Sequence, residues 1–149
     1  MPQRWSAYER MSRPESSLRK FLGELEVEIM EHMWQRGEAT VRDIATIIQA
    51  KRPVAYTTIM TVMVHLAEKG LLSRTPLDKK THLYSVALTE AQFLARASQN
   101  MVDILVADFG DLALAQFLEA VEQVDPRRLE EMRKRLEESR AQVPGEEGQ

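Results

Sequence analysis

The chain has 149 residues, 44% of them hydrophobic and 29% charged, which suits one ordinary globular domain or a small domain with an appendage. It contains no cysteine, which excludes disulfides, iron–sulfur clusters, thiolate zinc sites and cysteine nucleophiles and fits a reducing cytosol. The formal net charge of −3 hides an asymmetry: residues 1–89 carry +3, residues 90–149 carry −6, and residues 40–89 alone carry +4, so an anionic partner is expected there unless the segment is merely a solvated, mildly basic face.

Residues 1–20 have no sustained periodicity, contain Pro2, Pro14 and Ser16-Ser17, and read as a flexible basic arm. From Leu22 the apolar residues Leu22, Leu25, Ile29 and Met33 recur at steps of three and four, predicting an amphipathic helix that ends at Gly37. Thr40 and Asp43 form a capping pair for a second helix, from Val41 to about Ala50, which buries Val41, Ile44, Ala45 and Ile48. Lys51-Arg52-Pro53 breaks it. A third helix is expected from Tyr56 to Lys69, with Ile59, Val62, Met63 and Leu66 inward and Gly70 beyond its end. Its other face, Thr57, Thr58, Met60, Thr61, Val64 and His65, holds short hydroxyls and adaptable apolar groups where a solvated helix would carry Lys, Glu and Gln. After Gly70 the period changes to that of two short strands, 71–77 and 81–88, around the basic turn Asp78-Lys79-Lys80.

Three helices followed by a basic-tipped hairpin describe a winged helix-turn-helix over residues 21–89. Residues 90–140 read as a helical domain. Thr89 and Gln92 cap a long helix carrying Phe93, Leu94, Ala97, Met101, Ile104 and Leu105. Asp111 opens another with Leu112, Leu114, Phe117, Leu118 and Val121. Asp125-Pro126 opens a last one with Leu129, Met132 and Leu136, ahead of a disordered acidic tail at 141–149. These stripes either pack back on the first body or pair with a second chain, and pairing in a homodimer is the expectation. The predicted fold class is thus mainly α with a small β-hairpin wing, plus a C-terminal helical dimerisation domain.

The residues from Leu22 to about Glu138 resemble the BlaI/MecI/CopY family of penicillinase-type bacterial repressors. The matching pieces are LGELEVEIMEHMW, ATVRDI, AYTTIMTVMVHLAEKGLL, HLYSVAL and DPRRLEEMRKRLEE, in that order. The resemblance implies a dimeric repressor with its N-terminal winged helix on double-stranded operator DNA, at inverted repeats with TACA/TGTA-like half-sites. The cysteine-rich metal motif of the copper-responsive branch is absent, which excludes copper release through cysteine. In the beta-lactam branch a membrane sensor-protease triggers cleavage at an Asn-Phe bond. The aligned bond here is Gln116-Phe117, with Gln in place of Asn.

On this reading Thr57, Thr58 and Thr61 meet phosphate or base edges, Met60 offers an apolar surface, and His65 lies farther along the same face. Phosphate contacts are expected from Thr40 and Arg42, from Lys51 and Arg52 in the turn, from Lys79 and Lys80 on the wing, and from Tyr56 at the helix entry. Trp34 and Tyr84 are expected in the core, and His32 and His82 as ordinary surface histidines. The three histidines have no metal spacing, no apolar run approaches the roughly 18 residues of a membrane helix, and no nucleophile-base pair or phosphate-cradling glycine loop is present. The expectations are therefore no metal, no cofactor, no enzyme activity, no membrane insertion and a cytoplasmic location. The competing reading is a winged-helix module that docks proteins without binding DNA.

Overall fold

A computed structural model describes residues 17–141. Most of the expected arm and all but the first residue of the expected tail lie outside the described residues. The arm's last residues depart from expectation, because Leu18–Lys20 form a 3₁₀ turn whose Leu18 is buried beside a chain that also buries Leu22. One apolar side chain is enough to draw that segment onto the core.

Helix α1 spans Glu24–Arg36 and buries Val27, Ile29, Met30 and Met33. It begins at an extended Gly23, whose amide donates to Glu26 Oε1 at 3.1 Å. It ends at Gly37, which takes φ 84°, a left-handed conformation that favours glycine. Strand β1, Glu38–Ala39, follows and was not foreseen. Helix α2, Val41–Gln49, starts with the expected reciprocal cap: Thr40 Oγ1 accepts the Asp43 amide at 3.2 Å, and Asp43 Oδ2 accepts the Thr40 amide at 3.0 Å. Helix α3, Tyr56–Glu68, buries Ile59, Met63 and Leu66. Beyond it the Gly70 amide returns to Ala67 O and the Leu71 amide to Leu66 O. This is the Schellman arrangement, sealed by the buried pair Leu66 and Leu71.

Strands β2, Leu72–Pro76, and β3, His82–Val86, form the hairpin, and β1 pairs on the other edge of β3, giving an antiparallel order β1-β3-β2. The hairpin register sets Pro76 against His82 and Arg74 against Tyr84. Tyr84 is buried, as expected of a core aromatic. Trp34 is half-buried, and its indole N–H donates to Leu88 O at 2.9 Å. Three helices with a sheet-borne hairpin constitute a winged helix-turn-helix.

The chain divides after Phe93 into two compact units, so the boundary falls within the first turn of helix α4, Glu90–Phe109. The described part of the second unit contains the rest of α4, helix α5 over Asp111–Glu122 and helix α6 over Pro126–Ala141. Its apolar side chains are mostly uncovered: Ile104 is 60% exposed, Leu112 70% and Leu118 66%. On α6, Arg133 pairs with Glu130 at 2.7 Å and with Glu137 at 2.6 Å, the spacing of a solvated helix face.

The α2 cap gives a pH signature. Hydrogen bonds from the Thr40 amide and hydroxyl, with the nearby Arg36 charge, hold the Asp43 carboxyl below its ordinary value of 3.8. A lowered folded-state value means that the contribution is complete above 3.8 and is lost as pH falls through the lower one. Asp43→Ala should therefore destabilise the chain at pH 7, as should Thr40→Ala by about 1 kcal/mol. The gap between Asp43→Ala and the parent in urea unfolding should narrow in acid.

Candidate nucleic-acid interface

Helix α3 keeps one side fully buried through Ile59, Met63 and Leu66 and leaves Thr57, Thr58, Met60, Thr61 and His65 exposed on the other. The exposed side borders a cleft of about 750 Å³ between the helix and the wing. Thr40 and Arg42 at the start of α2, Tyr56, Met60 and Thr61 on α3, and Arg74, Lys80 and His82 on the hairpin all line it. Three cations and several hydroxyls thus converge on a groove whose floor includes the buried Tyr84. Such a surface suits a polyanion with some apolar edges.

The wing tip is fixed by an acid that spends its charge locally. Asp78 Oδ1 accepts the Lys80 and Thr81 amides at 2.8 Å each, and these bonds hold its carboxyl below the usual carboxylate range. The turn therefore holds the exposed Lys79 and Lys80 on an ordered loop. Thr61 is also constrained, because its hydroxyl donates to Thr57 O at 2.9 Å. With its hydroxyl hydrogen so engaged, it would meet a phosphate or base edge through its methyl and a lone pair rather than as a donor.

Two residues expected on this surface sit elsewhere. Lys51 and Arg52 line a second hollow with Arg19, Glu24, Glu28, Glu31, His32 and Gln35, and Arg52 Nη2 donates to Glu28 Oε2. Arg52 is committed to an ion pair within the fold, which the sequence alone did not reveal because its partner is 24 residues away. Conversely, Arg74 and His82 were missed. Counting outward from the Asp78-Lys80 turn would have paired Arg74 with the core residue Tyr84, placing it on the inward face of the wing. Lys79 is exposed beside the cleft without lining it.

Of the residues expected to pair two chains, Met101, Ile104, Leu105, Leu114, Leu118 and Val121 are exposed, and Ala97, Phe117, Leu129, Met132 and Leu136 are half-buried. Phe93 is engaged within the first unit, edge-to-face on Phe21 with ring centroids 6.2 Å apart. The exposed set also includes Val102, Phe109 and Leu112. Gln116 is exposed in the middle of α5. Among the described residues no cluster of His, Asp and Glu is arranged to hold a metal, and no helix is long and apolar enough to cross a membrane.

The sequence model of the penicillinase repressor family matches residues 22–138. The chain is also 38% identical over 105 residues to the transcriptional regulator BlaI of Mycobacterium tuberculosis, across 67% of this chain and 73% of that one. The chain belongs to the penicillinase repressor family. An uncharacterised 16.5 kDa protein of Latilactobacillus sakei is 29% identical over 80 residues, covering 54% of each chain. Among solved structures, the DNA-binding domain of the repressor BlaI aligns with 48% of this chain and 87% of its own, with a TM-score of 0.44 and 18% identity. Members of the penicillinase repressor family are transcriptional repressors rather than enzymes, and DNA is their partner.

The cleft and the second hollow make opposite predictions for two arginines. Arg74→Ala should weaken binding to specific and scrambled duplexes alike and lower the slope of log affinity against log salt by about 1. Arg52→Ala should leave that slope unchanged. Thr58→Ala should cost roughly 1–3 kcal/mol on the specific duplex only. Duplex titrations at several salt concentrations check all three.

Proposed function

We propose that this penicillinase repressor acts in the cytoplasm as a homodimer that binds an inverted-repeat operator, one half-site per winged helix. The observation that carries the proposal is the cleft itself: Arg42, Arg74 and Lys80 line it together with Tyr56, Met60 and Thr61 of α3, and Thr58 is exposed on the same helix. Long cations supply phosphate attraction, and threonine methyls with Met60 suit the thymine methyls of A/T-containing half-sites.

Pairing follows from the uncovered residues of the second unit. Ile104, Leu105 and Phe109 on α4 and Leu114, Leu118 and Val121 on α5 exceed what a solvated helix pair presents to water. A second copy covers them, and two linked winged helices then gain operator affinity because the second half-site is engaged at high effective concentration. Between 50 and 200 mM salt, affinity should fall on the order of a thousandfold if a dimer meets about six to ten phosphates. In the full chain, Leu118→Glu should yield a monomer by sedimentation, with scrambled-duplex binding retained and operator binding sharply weakened. A dimer that persists in this variant, or a salt response that is nearly flat, would refute the corresponding half of the proposal.

Release by a membrane sensor-protease is the inducing route we infer. Gln116 is exposed and Phe117 is half-buried between exposed Leu114 and Leu118, in the middle of α5. A cut there requires local opening of the helix and divides the pairing surface, so repression collapses through loss of avidity. Mass spectrometry of the protein from beta-lactam-treated cells should find fragments ending at Gln116. An intact chain with the regulated genes induced would reject proteolysis.

A further inference from the structure

Two of the four glutamates of helix α1, Glu26 and Glu28, pair with cations on neighbouring segments. They stand about 200° apart around the helix and flank its buried residue Val27. Glu26 reaches the C-terminal end of helix α3, and Glu28 reaches the turn that joins α2 to α3. Glu26 Oε2 accepts Lys69 Nζ at 2.6 Å, and Lys69 is the C-cap of α3. Glu28 Oε2 accepts Arg52 Nη2 in the turn just before α3 begins at Tyr56. The Glu26 carboxylate is fixed at both oxygens, because Oε1 takes the Gly23 amide at 3.1 Å. Both acids are largely shielded, with side chains 18% and 23% exposed.

We propose that Glu26 and Glu28 are positioning residues for DNA recognition, bracing against α1 the C-terminal end of α3 and the turn through which the chain enters it. The proposal rests on the repressor reading above. Apolar packing of α3 through Ile59, Met63 and Leu66 is strong but non-directional, and it tolerates small slides and tilts of one helix on another. Base-edge hydrogen bonds do not, since they weaken steeply outside about 2.7–3.2 Å. A 13-residue helix is about 20 Å long, so charge-assisted bonds at its C-cap and in the turn that leads into it resist tilt better than one at its middle. Partly exposed ion pairs contribute little to stability. Their value here is geometric.

The test uses the full chain and the duplex that the parent protein enriches from a random pool, with a scrambled duplex as reference. Glu26→Gln and Glu28→Gln, both able to keep an acceptor oxygen, should leave the melting temperature nearly unchanged. Each should lower the ratio of specific to scrambled affinity about fivefold, the low end of one mismatched base pair. The exchanged pair Glu28→Arg with Arg52→Glu should restore most of the ratio that either single charge reversal removes, an outcome that the total charge alone does not produce. An unchanged ratio in both Gln variants would overturn the proposal. So would a failure of the exchanged pair to recover, or an equal gain on both duplexes for Glu28→Gln, which would mean only that Arg52 had been freed for phosphate. If Glu26→Gln does not fold, the Glu28 and Arg52 variants decide alone. Should the parent enrich no duplex, the repressor reading fails first and takes the brace with it.

Discussion

The burial of Ile59, Met63 and Leu66 determines which side of α3 is presented outward. Each such side chain is worth roughly 1.5–3 kcal/mol when removed from water, so turning α3 by one residue would expose more than any surface contact returns. Thr57, Thr58 and Thr61 face outward for that reason, whatever their own preferences. The Schellman turn at Gly70 and the buried Leu71 then direct the chain straight into β2, and the hairpin register brings Arg74 to the cleft edge. The exposed face of α3 is thus a by-product of a core that closes on its other side.

The first unit reconciles an acidic chain with an anionic partner by engaging four of its carboxylates within the fold. Asp43 and Asp78 accept backbone amides, and Glu26 and Glu28 accept cations on neighbouring segments. None of these four lines the cleft, whereas Arg42, Arg74 and Lys80 do. Net charge therefore says little about this surface, because field near a groove depends on which charges face it. Arg52, expected to meet phosphate, instead shares its charge with Glu28 and lies outside the cleft lining.

Much of this was legible in the sequence because it is local. The three- and four-residue steps through Ile29, Met33, Ile59 and Met63 specify helices, and Thr40 with Asp43 and the glycines at 37 and 70 mark their ends. The class, a winged helix-turn-helix in a mainly helical chain, followed from that order. What stayed hidden depends on partners distant in sequence. Strand β1 has two residues, too few for any period, and exists only because β3 offers it an edge. Arg52 meets Glu28, and Lys69 meets Glu26, across separations of 24 and 43 residues. Phe93 sits at an apolar helix position that reads equally well as an interface residue, yet Phe21 occupies its face.

The two units meet the demand for a core differently. In the first, helices and sheet enclose Met30, Ile44, Ile59 and Tyr84 without help. In the second, described apolar residues such as Ile104, Phe109 and Leu118 remain open to water, and helices of that kind gain their stability from whatever covers them. Under the proposed dimer this difference separates reading from control. Winged helices that stand on their own cores keep their shape whether paired or not, while pairing depends on a surface that one broken helix suffices to spoil. A signal that acts on α5 therefore needs no route to the recognition helix. It changes how many half-sites one molecule holds, and operator occupancy follows from that count alone.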